Sequence, residues 1–111
     1  MKYFKLLIVS LSLFSFTSNA ALKTEEVSYK HDSVNMKGFI AYDDSISGKR
    51  PGVIIVHEWW GHTDYTRDRA IMLAELGYTA ISLDMYGDGK TADHPKDAKS
   101  FAMEAKQNMD V

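Results

Sequence analysis

Residues 52–62, with the sequence GVIIVHEWWGH, constrain the fold more than any other part of the chain. The first five are an apolar, β-branched run behind Pro51, which predicts a strand buried on both faces of a mostly parallel sheet. The run ends abruptly at His57 and Glu58, followed by two tryptophans. Because ligands of open α/β sheets bind beyond the carboxyl ends of the strands, this segment predicts a binding site.

The first twenty residues predict a secretory signal that is removed from the mature protein. Lys2 and Lys5 give a positive start, residues 6–16 are apolar except for serines, and residues 18–20 are small, as a signal peptidase requires. The apolar run is too short for a comfortable membrane span, which makes an uncleaved anchor the alternative. We therefore expect an exported protein, periplasmic or secreted, with residues 21–111 forming its folded part.

Composition narrows the class of function. The length of 111 residues allows one small domain at most, and the net charge of -2 provides no basic surface for nucleic acid. The sequence has no cysteine, which excludes disulfides, a lipid-anchored lipoprotein and a cysteine nucleophile within these residues. We expect no cofactor, no nucleic acid partner, no membrane association after signal cleavage, and a monomer.

The rest of the chain predicts strands and helices in an α/β order. Residues 27–30 and 36–42 predict two strands joined by a hairpin, and residues 78–83 predict a third strand after a helix. Thr63 or Asp64 can cap that helix through a side-chain oxygen, and Gly77 suits its C′ position. Strand, helix and strand over about thirty residues form a right-handed βαβ unit.

A second helix opens at Pro95, and its apolar face runs to Met109 just before the last residue. Two helices and four strands would leave the faces and edges of a parallel sheet uncovered. We therefore expect residues 21–111 to be the N-terminal part of a longer domain.

The polar residues after the central strand allow several interpretations. His57 and His62 invite a zinc site, but on a helix five residues would place them about 140° apart, so we expect no metal. Glu58 is either an exposed carboxylate that binds loop amides or a pocket carboxylate with a chemical role, and its position favours the pocket. The side chains of Trp59 and Trp60 suit either packing or contact with a substrate.

Two aromatic or acidic residues further on complete this set. Tyr86 can line the mouth of the same crevice, with packing as the alternative. Asp84 ends a strand and leads into a polar loop, which favours a turn-forming role over that of a triad acid. The candidate substrate-binding residues are His57, Trp60 and Tyr86.

The segments PGVIIVHEWWG, RDR, LA, LGY and LDMYG, in that order between residues 51 and 87, resemble the dienelactone hydrolases. The resemblance implies an α/β-hydrolase fold and hydrolysis of an ester or lactone by a nucleophile, an aspartate and a histidine. It also implies that Glu58 controls the nucleophile and that the Trp59 N–H supplies one oxyanion-hole donor. Asp88 stands where the name-giving enzyme binds a substrate carboxylate with arginine, which favours a broader esterase or lactonase.

The sequence contains no G-x-S-x-G or G-x-C-x-G elbow after Gly61, so the whole triad is expected beyond Val111. Residues 21–111 alone are then expected to be inactive. A serine-type α/β hydrolase acting on other acyl substrates remains an alternative. A non-catalytic exported protein, or a degenerate fragment, that binds a ligand at the two tryptophans is the other.

Overall fold

The computed structural model describes residues 21–109, which form a four-stranded sheet and two helices. The predicted signal, residues 1–20, lies outside the described residues. The elements in chain order are β1 (Leu22–His31), β2 (Val34–Asp43), β3 (Gly52–Val56), α1 (Asp64–Glu75), β4 (Thr79–Leu83) and α2 (Pro95–Gln107).

β1 and β2 form the predicted hairpin, and both strands are longer than their apolar pattern indicated. They pair in antiparallel register from Leu22 opposite Asp43 to His31 opposite Val34. Only two residues turn the chain, and Asp32 takes a left-handed φ of 51°, which aspartate tolerates better than most residues. Main-chain hydrogen bonds continue the ladder through polar residues, so the side-chain pattern alone underestimated its length.

The predicted βαβ unit is confirmed. β3 and β4 are parallel neighbours from Gly52 opposite Thr79 to Val56 opposite Leu83, and α1 connects them. The strand order is β1-β2-β4-β3, with β2 antiparallel to β4. The described part of the sheet is therefore mixed, with its one parallel pair at the β3 edge.

The prediction that β3 is buried on both faces is wrong for the described structure. Ile54 is 67% exposed and Val56 is 61% exposed, whereas Ile55 packs against the core. The strand lies at the edge of the sheet, and α1 covers only one face of it. Among residues 21–109 no element covers the other face, so the apolar run has an alternating pattern of exposure.

Small side chains form the core between α1 and the sheet. Ala41 and Ala80 on neighbouring strands meet Ala70 and Ala74 on the helix, and all four are fully buried. Alanine lets the helix backbone approach the sheet closely, and larger side chains complete the packing around it. These partly buried neighbours are Leu22, Phe39, Ile55, Ile71 and Leu73.

The ends of α1 are set by backbone geometry. Thr63 is the N-cap residue, but its side chain makes no capping hydrogen bond, contrary to prediction; its carbonyl instead accepts the Thr66 hydroxyl at 2.7 Å. At the other end Gly77 has a φ of 94°, and the Tyr78 N–H donates to the Leu73 carbonyl at 3.1 Å. This is the left-handed Schellman termination that the glycine predicted.

α2 begins at Pro95, as predicted, with His94 as its N-cap residue. Within the described residues it closely approaches no strand or other helix. It packs instead on the loop after β4, where Phe101 meets the Tyr86 ring edge-on at 5.8 Å between centroids. None of the described helices is long and apolar enough to cross a membrane.

Candidate functional site

The carboxyl ends of β3 and β4 lie side by side because these strands are parallel neighbours. The loop after β3 (residues 57–63) and the loop after β4 (residues 84–94) therefore leave the sheet at the same edge. An isolated antiparallel bridge between Gly61 and Thr91 joins them further out. The two loops form one surface, at the place where the sequence predicted a binding site.

Asp84 anchors the loop after β4 from inside the protein. Its side chain is almost fully buried, and its carboxylate accepts four backbone N–H groups. The donors are Lys37 at 3.1 Å, Tyr86 at 3.0 Å, Gly87 at 2.9 Å and Gly89 at 2.9 Å. Burial by itself raises the pKa of Asp84, but these hydrogen bonds outweigh it and leave the pKa below its ordinary value. The predicted turn-forming role is confirmed.

His57 joins the two loops through both of its ring nitrogens. Nε2 accepts the Met85 N–H at 3.0 Å, and Nδ1 lies 2.6 Å from the Glu58 carbonyl oxygen. A backbone N–H can only donate and a carbonyl can only accept, so the proton of the imidazole is on Nδ1. Predicted as a substrate-binding residue, His57 is occupied in the structure by main-chain partners on both sides.

Tyr86 makes a second connection between the loops. Its hydroxyl donates to the Trp59 carbonyl at 2.8 Å, and its ring meets the His57 ring edge-on at 4.7 Å between centroids. Burial raises the pKa of Tyr86, so the phenol remains a proton donor at neutral pH. His57, Trp59 and Tyr86 therefore lie together, as a site at this edge requires.

An open groove of about 390 Å³ runs between these loops and the last turns of α2. Glu58, exposed, lies at one end of it with the partly exposed Trp59, and Lys106 is at the rim. The walls are mainly apolar and aromatic, as in small-molecule sites. The lining residues are Val56, His57, Glu58, Trp59, Met85, Tyr86, Ala102, Ala105, Lys106 and Met109.

Trp60 is separated from this groove. It lines a smaller cavity of about 100 Å³ at the start of α1, together with Glu58 and Tyr65. Its ring meets that of Trp59 edge-on at 5.2 Å between centroids. Glu58 borders both cavities, so the structure brings three of the five predicted site residues into the groove with Glu58 and places Trp60 beyond it.

The Trp59 backbone offers a free hydrogen-bond donor at the groove. Within residues 21–109 the Trp59 N–H donates to no acceptor, whereas the carbonyls on both sides of it are bonded. The Glu58 carbonyl also accepts the Gly61 N–H at 3.1 Å. An N–H held in place by its neighbours and left unpaired can stabilise a developing negative charge.

Sequence reasoning missed a buried polar pair beneath this site. Nε2 of His62 lies 2.6 Å from Oγ of Ser82, and both residues are almost fully buried. Burial, followed by the nearby Arg67 charge, lowers the pKa of His62 and keeps the ring neutral. The available signal was Ser82 itself, since a hydroxyl in an apolar strand requires a partner.

The histidines and carboxylates of the described residues form no group of three that could hold a metal ion. His57 and His62, which suggested zinc in the sequence, instead bind a backbone amide and a serine hydroxyl. Their ring nitrogens therefore serve two different local structures.

Comparison with known proteins assigns the family. The sequence model of the dienelactone hydrolase family matches residues 36–111. The chain belongs to the dienelactone hydrolase family. It is 32% identical over 85 residues to Protein usf of Aquifex pyrophilus, a match that covers 74% of this chain and 35% of that protein.

Solved structures agree with the dienelactone hydrolase assignment. The dienelactone hydrolase m3DLH superposes with a TM-score of 0.73 at 32% identity, covering 79% of this chain and 37% of that one. A dienelactone hydrolase-like promiscuous phosphotriesterase from metagenomic libraries gives 0.72 at 31% identity, covering 78% and 36%. The predicted α/β-hydrolase fold is confirmed, and residues 21–109 represent part of it. The chain spans about a third of the length of its Aquifex relatives.

Proposed function

We propose that the protein carrying this chain is an exported hydrolase of carboxylic esters or lactones. The observation that carries the proposal is the unpaired Trp59 N–H at the carboxyl end of β3, facing an open, mainly apolar groove. In α/β hydrolases an N–H from the loop after this strand supplies one donor of the oxyanion hole. Membership of the dienelactone hydrolase family supports the same chemistry.

In the proposed reaction, a nucleophile outside these 111 residues attacks the carbonyl carbon of the ester. The electron pair of the carbonyl moves to its oxygen, where the Trp59 N–H donates to the oxyanion. Collapse of this intermediate expels the alcohol, which takes a proton from a histidine, and water then releases the acid from the enzyme. We assign Glu58 the control of the nucleophile, because its carboxylate is exposed at the groove.

The test compares two matched variants of the intact protein, meaning this chain with any continuation encoded by its reading frame. We expect turnover of a nitrophenyl ester or a simple lactone, and a loss of about 10-fold or more in kcat/KM for Glu58→Gln. Glu25→Gln, the same change at an exposed carboxylate on β1, should retain full activity. A folded intact protein that hydrolyses no ester or lactone would refute the proposal.

The location of the nucleophile has its own test. Residues 21–111 expressed alone should give no ester turnover above that of the Glu58→Ala variant. If the short chain hydrolyses esters, the nucleophile lies within it. Inactivation of the intact enzyme by iodoacetamide would identify cysteine as the nucleophile, and inactivation by a sulfonyl fluoride would identify serine.

Export is the second part of the proposal and depends on the first twenty residues. A positive start, an apolar stretch and a small-residue end support signal cleavage before Ala21. N-terminal sequencing of the protein from the periplasmic or culture fraction should begin at Ala21. A protein that remains in the cytoplasm with Met1 intact would exclude export without affecting the hydrolase proposal.

A binding role without catalysis is the second candidate, favoured by the surface exposure of Trp59. This side chain is 44% exposed beside the groove, a costly position for an indole unless a ligand covers it. If the intact protein lacks activity, quenching of tryptophan fluorescence by small apolar esters, lost in Trp59→Ala, would support binding.

A further inference from the structure

We propose that His57 is a positioning residue that sets the direction of the Trp59 N–H. The inference rests on the proposed function, because it assigns a purpose to that N–H as an oxyanion donor. The geometry behind it involves only the described residues: one imidazole, one peptide unit and the two loops that the imidazole joins.

The orientation of the imidazole is fixed from two sides. The Met85 N–H approaches Nε2 at 3.0 Å and requires that nitrogen to be unprotonated. The proton of the neutral ring is then on Nδ1, which lies 2.6 Å from the Glu58 carbonyl oxygen. The two contacts require the same tautomer, so each of them stabilises the other.

The Glu58 carbonyl belongs to the same peptide unit as the Trp59 N–H. Because the peptide bond is planar and trans, the N–H points opposite to the carbonyl, and holding one fixes the direction of the other. The His57 Nδ1–H and the Gly61 N–H both donate to that carbonyl. Two donors on one carbonyl leave the peptide plane little freedom to rotate.

The next peptide unit is held as well. Tyr86 donates its hydroxyl to the Trp59 carbonyl at 2.8 Å, and its ring supports the edge of the His57 ring. The Trp59 N–H is therefore the free group between two restrained carbonyls. Hydrogen bonds to the Glu58 carbonyl also polarise the peptide and strengthen its N–H as a donor.

This arrangement supplies what an oxyanion hole requires. A donor stabilises the transition state when its direction is set before the reaction, so that no reorganisation is needed as charge develops. Free rotation of the peptide between residues 58 and 59 would remove that advantage without removing the N–H. His57 thus acts through the peptide and does not itself touch the substrate.

Two substitutions separate positioning from simple cohesion of the loops. The amide NH₂ of His57→Asn can reach the place of Nδ1 and retain the bond to the Glu58 carbonyl, but it loses the Met85 contact. The amide oxygen of His57→Gln can reach the place of Nε2 and accept the Met85 N–H, but it loses the donor to Glu58. His31→Asn, at an exposed histidine of the hairpin, is the matched control.

For the intact enzyme we expect His57→Gln to lower kcat about 10-fold to 100-fold with KM nearly unchanged, because the lost interaction acts in the transition state. His57→Asn should retain kcat within about 3-fold, and His31→Asn should match the native enzyme. An equal loss in both His57 variants, or a loss confined to KM, would overturn the proposal.

A second measurement does not depend on activity. Long-range proton–nitrogen NMR of the full chain should show His57 protonated at Nδ1, and the residual dipolar coupling of the Trp59 N–H should change in His57→Gln but not in His57→Asn. An Nε2-protonated ring, or a coupling unchanged in both variants, would overturn the positioning role. If these signatures hold while no ester is hydrolysed, only the proposed function fails. If a variant does not fold, the tautomer in the native chain still decides.

Discussion

His62 and Ser82 form a buried hydrogen bond, Nε2 to Oγ at 2.6 Å, between the loop after β3 and the middle strand β4. The bond ties the end of the site loop to the sheet directly beneath it. Nδ1 of His62 is also buried and has no partner among the described residues. The pair therefore contributes to the site through structure, and the neutral ring is the form that fits.

The charge state of His62 makes stability depend on pH. Its folded-state pKa lies below the ordinary value of about 6.5, so the unfolded chain binds more protons in the window between the two values. The stabilisation is complete above pH 6.5 and is lost as the pH falls toward the folded-state pKa. Denaturant unfolding of the chain between pH 7.5 and pH 5.5 should therefore show a falling free energy of unfolding.

The control for this pH dependence is the double variant His62→Leu/Ser82→Ala, which replaces both partners by apolar groups. Such paired replacement can be nearly neutral at pH 7.5, whereas Ser82→Ala alone should cost about 1–3 kcal/mol because it leaves Nε2 unpaired. Equal pH dependence in the native chain and the double variant would show that other groups cause it.

Asp84→Asn should lower the free energy of unfolding by roughly 2–4 kcal/mol, because a buried carboxylate that accepts four N–H groups is replaced by an amide that cannot accept them all. Its folded-state pKa is depressed, so the stabilisation is present above the unfolded pKa and is lost as the pH falls through the folded value. Urea unfolding at pH 7 measures the loss. Asp88→Asn, an exposed change in the same loop, should alter stability by less than about 0.5 kcal/mol.

Gly61→Ala and Gly77→Ala form a matched pair that separates backbone strain from steric overlap. Both glycines have nearly the same positive φ, 95° and 94°. A methyl group at Gly61 would overlap the Lys90 carbonyl oxygen, whereas one at Gly77 would only touch Ile46 at 3.5 Å. We expect a loss of roughly 1–2 kcal/mol at Gly77 and clearly more at Gly61. Similar losses by thermal unfolding would show that the loops can separate freely.

Ile54→Ala and Ile55→Ala test the two faces of β3. Ile55 packs on the core beside α1, so its truncation should cost about 2 kcal/mol or more. Ile54 is 67% exposed on the other face, and its truncation should cost less than about 1 kcal/mol in this chain. Chemical denaturation of both variants measures the difference. A large loss at Ile54 would mean that another segment covers that face.

The sequence by itself determined the local elements. Apolar periodicity predicted the strand–helix–strand unit, Gly77 the end of α1, and Pro95 the start of α2, and each is confirmed. These features depend on backbone conformation and on neighbours within a few residues, which a linear pattern contains. The motif around Glu58 also indicated the edge of the sheet at which the site lies.

Only the tertiary structure decided what the polar residues contact. His57 meets Met85 across 28 positions of sequence, and Asp84 reaches Lys37 across 47. Such partners depend on strand order and loop direction, because two residues far apart in the chain meet only after the sheet has assembled. The exposure of Ile54 has the same origin: the side chain is apolar, but its burial depends on whether another element packs on that face of β3.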